Sequence, residues 1–191
     1  MKRIIIPLFS LFLISCGNDP LPKPKGFLRL EYSSPKYKKV NLPLPFSYDQ
    51  NNKAKPIASI KKENDGESYG INIEYPDLKG TIYLTYRKVK ANNLDSLLRD
   101  AQNLTQKHTT KADEIQSNLY ENPNKDVYGM FYEVGGNAAS QSQFYVTDST
   151  NHFLSGSLYF YAKPNYDSIY PAAIYLKNLI RQIMASIEWK D

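Results

Sequence analysis

The chain of 191 residues has a single cysteine, Cys16, placed at the end of a hydrophobic leader. Whatever folds behind it can therefore contain no internal disulfide, and a hydrophobic core must hold it together. Lys2 and Arg3 followed by the apolar run Ile4 to Ile14 give the layout of a secretory signal peptide. The run falls short of the roughly 20 residues that a membrane-spanning helix needs. Leu13-Ile14-Ser15-Cys16 resembles the bacterial lipobox, in which the cysteine sulfur is acylated and the cysteine becomes the first residue after cleavage. An odd, uncapped thiol would invite unwanted pairing in an exported protein. Each buried acyl methylene contributes about 0.8 kcal/mol, so two or more chains anchor a protein stably where one does not. Residues 1–15 are accordingly expected to be the signal peptide and Cys16 the site of lipid attachment, with membrane lipid as the first partner.

The residues that remain suffice for one domain with a full core. Sixteen Tyr and eight Phe supply that core, and such side chains favour half-buried strands. Formal charge is +5, of which Lys2 and Arg3 leave with the leader. The densest basic cluster, Lys36-Tyr37-Lys38-Lys39, is too small for a nucleic-acid face, and the compartment argues against such a partner. Three prolines between Gly17 and Lys25 (Pro20, Pro22, Pro24) make residues 16–26 an extended tether. Residues 27–191 are expected to form a single globular domain. One Asp, at position 19, is less than the acidic run expected of a surface-export signal, so the domain is expected to face the periplasm, from either membrane.

Phe27 to Tyr32 reads as a first edge strand, and Leu42-Pro43-Leu44-Pro45-Phe46 as an edge or a packed loop, since proline lacks the ladder donor. Ile71, Ile73 and Tyr75, then Ile82, Leu84 and Tyr86, alternate with polar residues on either side of Pro76–Gly80 and predict a hairpin. Leu94, Leu97, Leu98, Ala101, Leu104 and His108 recur at helical spacing, with Asn92 and Asn93 as candidate caps. Val127–Val134, Phe144–Thr147 and Phe153–Tyr161 predict three consecutive antiparallel strands. Pro171 suits a first helical turn, and Ala172, Leu176, Leu179, Ile180, Ile183, Met184 and Ile187 line a last helix, with Trp189 pinning the terminus. The predicted class is α+β: a mostly antiparallel sheet covered by a middle helix and a long C-terminal helix. This order resembles the PsbP-like α/β/α sandwich.

No Gly-x-Ser-x-Gly elbow, phosphate loop, dinucleotide fingerprint or zinc-protease motif occurs. Enzymatic activity, a cofactor and a metal are accordingly not expected. Asp148, Ser149 and His152 fall within one turn, but proximity in sequence does not make a triad. Gly135-Gly136-Asn137-Ala138-Ala139-Ser140 is unusual, because two glycines and small residues join two aromatic strands; it reads either as a hairpin loop or as a ligand-holding nest. The candidate interaction or ligand site joins Asn137 and Ser140 with His108, Lys111, Asp113 and His152, for a small polar or anionic ligand if the loop folds back toward the end of the middle helix.

Several segments together resemble the gliding-motility lipoprotein GldD family of gliding Bacteroidota. They are Pro22-Lys23-Pro24-Lys25-Gly26 with Arg29 and Glu31, Lys79-Gly80-Thr81-Ile82 with Leu84 and Tyr86, Lys107-His108-Thr109 with Lys111-Ala112-Asp113, the Gly135–Ser140 segment, and Asp148-Ser149-Thr150 with His152-Phe153-Leu154, Gly156 and Leu158-Tyr159-Phe160. The resemblance implies a membrane-anchored periplasmic component of gliding associated with type IX secretion. It also implies partners among the envelope proteins of that apparatus and no known enzymatic activity. The expected role is non-catalytic docking or assembly; the alternative is a periplasmic binding or catalytic module for a small ligand.

Overall fold

The computed structural model describes Gly26 and residues 29–161 and 165–190. Cys16, the leader and nearly all of the tether lie outside these residues. Ten strands and two helices follow in the order β1 Tyr37–Val40, β2 Phe46–Asn51, β3 Lys61–Lys62, β4 Tyr69–Tyr75, β5 Gly80–Lys88, α1 Leu94–Gln106, β6 Ala112–Asn122, β7 Val127–Gly136, β8 Ser142–Thr147, β9 His152–Phe160, α2 Tyr166–Ser186 and β10 Glu188–Trp189. The class is α+β, as the sequence predicts. Seven strands form one antiparallel sheet in the order β3-β4-β5-β9-β8-β7-β6, and β1-β2-β10 form a second, smaller one.

Alternation along the strands sorts the core into two layers. Ile82, Leu84, Phe131, Phe144, Val146, Leu154 and Leu158 point to the face covered by α2, where Leu176, Ile180 and Ile183 meet them together with Phe46 and Tyr48 of the small sheet. Their strand neighbours Tyr132, Tyr145 and Phe153 point the other way and pack with Leu97 of α1. One helix thus lies on each face of the large sheet. Each fully buried side chain of this kind contributes roughly 1.5–3 kcal/mol, which is how the domain holds without cross-links.

The hairpin β4–β5 closes through a single 3₁₀ turn, Pro76–Leu78, with Lys79 in the left-handed region at φ 50°. The β6–β7 connection repeats the device at Pro123–Lys125, with Asp126 at φ 52°. In both, proline presets the first residue of the turn.

Four expectations need correction. Residues 29–32 form no strand; Tyr32 packs on Tyr175 of α2 with ring centres 4.9 Å apart, so side-chain contact replaces ladder pairing there. The first strand is β1, which contains Lys38 and Lys39. Asn93 does not cap α1 with its side chain: Oδ1 accepts from the Lys90 amide at 2.8 Å and Nδ2 donates to the Lys88 carbonyl at 3.1 Å, tying the helix to the strand before it. Pro171 lies inside α2, not in its first turn, and Ala173 takes the buried place foreseen for Ala172.

Candidate functional site

The structure separates the six residues singled out by sequence. Ala112 pairs with Gly136 across β6 and β7, which puts Lys111, Asp113 and Asn137 near one end of the large sheet. His152 opens β9 next to Thr147, at the far end of β8 from Ser142. Along β8 that is about 17 Å, at roughly 3.3 Å per residue. Asp113 and His152 also line different clefts.

Each of the six has its own local surroundings. Asn137 Oδ1 accepts the Tyr166 amide at 2.9 Å and so caps α2 from outside that helix. Ser140 is buried, and its hydroxyl donates to the Ser142 carbonyl at 3.2 Å. Gln141 Nε2 donates to the Ala138 carbonyl at 2.7 Å, so the glycine-rich loop is held by its own side chains. Gly136 sits at φ 87°, and a Cβ there would come within 2.7 Å of the Asp113 amide nitrogen; only glycine fits this approach. Lys111 and Asp113 are exposed. His108 is half-buried, which lowers its pKa, and its Nε2 has no hydrogen-bond partner.

His152 belongs to a clasp. Its ring stacks on Trp189 at 4.9 Å and 5°, and its Nδ1 lies 2.9 Å from Tyr86 Oη. Burial, reinforced by the charge of Asp148, pushes the Tyr86 phenol up to about 12, so it is neutral at physiological pH. Trp189 Nε1 donates to the Asp126 carbonyl at 3.0 Å. This cluster joins the small sheet to the large one.

A concavity that the sequence did not single out lies between α1 and the large sheet, with a volume of about 700 Å³. Its floor is built by register. Gln143 faces Ser157, and Ser157 faces Tyr83; one row along, Tyr145 faces Ser155, and Ser155 faces Thr85. Small hydroxyl side chains thus leave room under the helix where larger ones would fill it. Ala101, Leu104 and Thr105 of α1 form one wall. Tyr145 and Phe153, stacked 5.6 Å apart, supply an apolar flank.

Thr105 Oγ1 donates to Gln143 Oε1 at 2.8 Å, which fixes that amide while its Nε2 is left with no partner. Gln143 is 3% exposed. A buried amide N–H without an acceptor costs about 1–3 kcal/mol, so it invites an acceptor from outside the chain. Burial and the neighbouring Tyr145 push Tyr132 up to about 12, keeping it a neutral phenol. The charges at the mouth include Arg87 and Asp100, paired at 3.6 Å. Hydroxyls, an amide and neutral rings suit hydrogen bonding to an uncharged polar molecule. The signal that could have found this cleft is the set of polar residues Gln143, Ser155 and Ser157 inside otherwise aromatic strands.

No group of three or more His, Cys, Asp or Glu side chains that could hold a metal ion occurs among the described residues. The family model described as gliding motility lipoprotein GldD matches residues 17–189, which takes in both helices and every strand. Comparison with curated proteins and with solved structures gives no match.

Proposed function

We propose, from the premise that this chain belongs to the GldD family of gliding motility lipoproteins, that its domain is a non-catalytic docking component of the gliding apparatus and its associated type IX secretion machinery. The match over residues 17–189, beginning directly after Cys16, is the observation that carries this reading. No helix among the described residues is long and apolar enough to cross a membrane; a lipid on Cys16 supplies the attachment and the domain faces the periplasm. Tethering confines the domain near the membrane and raises its effective concentration beside other anchored proteins.

Substituting Cys16→Ser tests the anchor and the role together. The native protein should fractionate with membranes and carry an acylated N-terminus by mass spectrometry. The variant should be soluble and should fail to restore gliding and type IX export to cells lacking the gene. Normal gliding and export in those cells without any copy would defeat the proposal.

A second reading is favoured by one observation, the unpartnered Nε2 of Gln143 at the α1 cleft: the domain binds a small uncharged polar ligand there. Gln143→Leu removes the orphan donor at nearly constant volume together with the acceptor of the Thr105 hydroxyl, which keeps the Ala101 carbonyl at 3.4 Å, so thermal stability should change little while gliding falls. Unimpaired gliding in that variant would remove the cleft from consideration.

A further inference from the structure

The two edges of the large sheet are treated differently. At one edge, β3 is only two residues long and both are lysines, Lys61 and Lys62. Shortness and positive charge are the usual means by which a sheet edge is kept from pairing with another chain. The small sheet is guarded in the same manner, by Lys38 and Lys39 on β1 and by the brevity of β10. At the other edge of the large sheet stands β6, which runs for 11 residues from Ala112 to Asn122.

None of those devices protects β6. It contains no lysine, arginine or proline, and its one register shift lies at Ala112/Glu114, at its very start. From Glu114 onward it pairs residue for residue with β7, so the strand is regular. Among the described residues no strand lies on its other side. Alternate N–H and C=O groups of a regular edge face outward and form a template for one more strand. Leu119, 69% exposed, is the most exposed large apolar side chain among the described residues, and it sits on this edge.

Charge indicates what the template accepts. β6 carries Asp113, Glu114 and Glu121 and no lysine or arginine of its own, in a chain whose formal charge is +5. Pairing with a second copy is disfavoured. Antiparallel about Ser117, Asp113 of one copy would face Glu121 of the other, and parallel in-register pairing would set every acid beside itself. Like charges directly opposite in a ladder are destabilising, and opposite charges stabilise by roughly 0.2–1 kcal/mol a pair.

We infer that the outer edge of β6 receives an extended segment bearing lysine or arginine from another envelope protein, which joins the large sheet as an additional strand. The inference rests on the docking function proposed above and gives that docking its surface. Backbone hydrogen bonds provide the binding, Leu119 an apolar contact, and the three carboxylates the preference for a basic partner.

The test uses the full-length acylated protein in gliding cells, with a photo-crosslinking residue at position 119 and, in separate strains, at position 61 and at several sites on α1 and α2. Crosslinked peptides are identified by mass spectrometry. The expected result is a crosslink from position 119, but not from 61, to a proline-free segment of a different protein that contains lysine or arginine. Charge reversal by Glu114→Lys with Glu121→Lys should reduce its yield at least tenfold. Both residues are exposed, so an unchanged thermal midpoint in the purified double variant establishes that it is folded; a shifted midpoint is answered by the milder Glu114→Gln with Glu121→Gln pair, in which a several-fold loss is expected. Crosslinks only to a second copy, crosslinks insensitive to charge, or none at 119 would each overturn the inference. Crosslinks to another protein from α1 or α2 alone would discard β6 and leave the docking function standing; none from any position would count against both.

Discussion

Asp148 organises the turn between β8 and β9 through one carboxylate. Its Oδ1 accepts the amides of Thr150, Asn151 and His152 at 3.0, 2.8 and 2.8 Å, and Oδ2 accepts the Thr150 hydroxyl at 3.0 Å. Partial burial pulls its pKa upward, but these hydrogen bonds outweigh burial and leave it below its ordinary value of 3.8. A depressed folded pKa means stabilisation that is complete above the unfolded value and lost as pH falls through the folded one. Asp148→Ala should therefore cost about 1–2 kcal/mol near neutral pH. Urea unfolding should show the gap between wild type and variant narrowing once the pH drops below about 4; a gap unchanged at pH 2–3 would count against this account. The sequence legibly marked a turn here, since Asp, Ser, Thr and Asn cluster between two aromatic strands. It was less informative at Asn137 and Ser140, because composition cannot distinguish a polar side chain awaiting a ligand from one already bonded to a neighbouring backbone.

The elements that were legible are those rich in buried apolar residues. β4, β5 and both helices carry an apolar period on one face, whereas β7, β8 and β9, buried on both faces, read as aromatic runs. β6 escaped notice because its residues are mostly exposed and, after Ala112, only Ile115, Leu119 and Tyr120 interrupt a polar run; an edge strand takes its shape from the neighbour it pairs with, and that neighbour is not written in its own sequence. α2 shows a related effect at its start. Its N-cap residue, Asn165, makes no side-chain capping bond, and the acceptor comes from Asn137 in the β7–β8 loop. Asn137→Ala should cost about 1 kcal/mol in denaturant unfolding, while Asn137→Asp, which keeps the acceptor and places a negative charge at the helix N-terminus, should be neutral or stabilising. Equal stability of the alanine variant and the wild type would show that the bond contributes nothing.

At the scale of the molecule, the antiparallel sheet with a helix on either face follows from the order of elements. The small sheet could not be foreseen in the same way, because β2 finds its partners at both ends of the domain: Phe46 pairs with Trp189, and Asn51 with Tyr37. The α1 cleft left only a faint trace in the sequence, polar residues inside aromatic strands, since it takes shape where three strands align Thr85, Ser155, Ser157 and Gln143. The β2–β10 pairing also sets a timetable. A ribosome or a translocation channel delivers a chain from its N-terminus, and contacts between its two ends must wait for the last residues to emerge. Glu188 and Trp189 complete the ladder that β2 begins, so the domain reaches its final form only when its tail has been released.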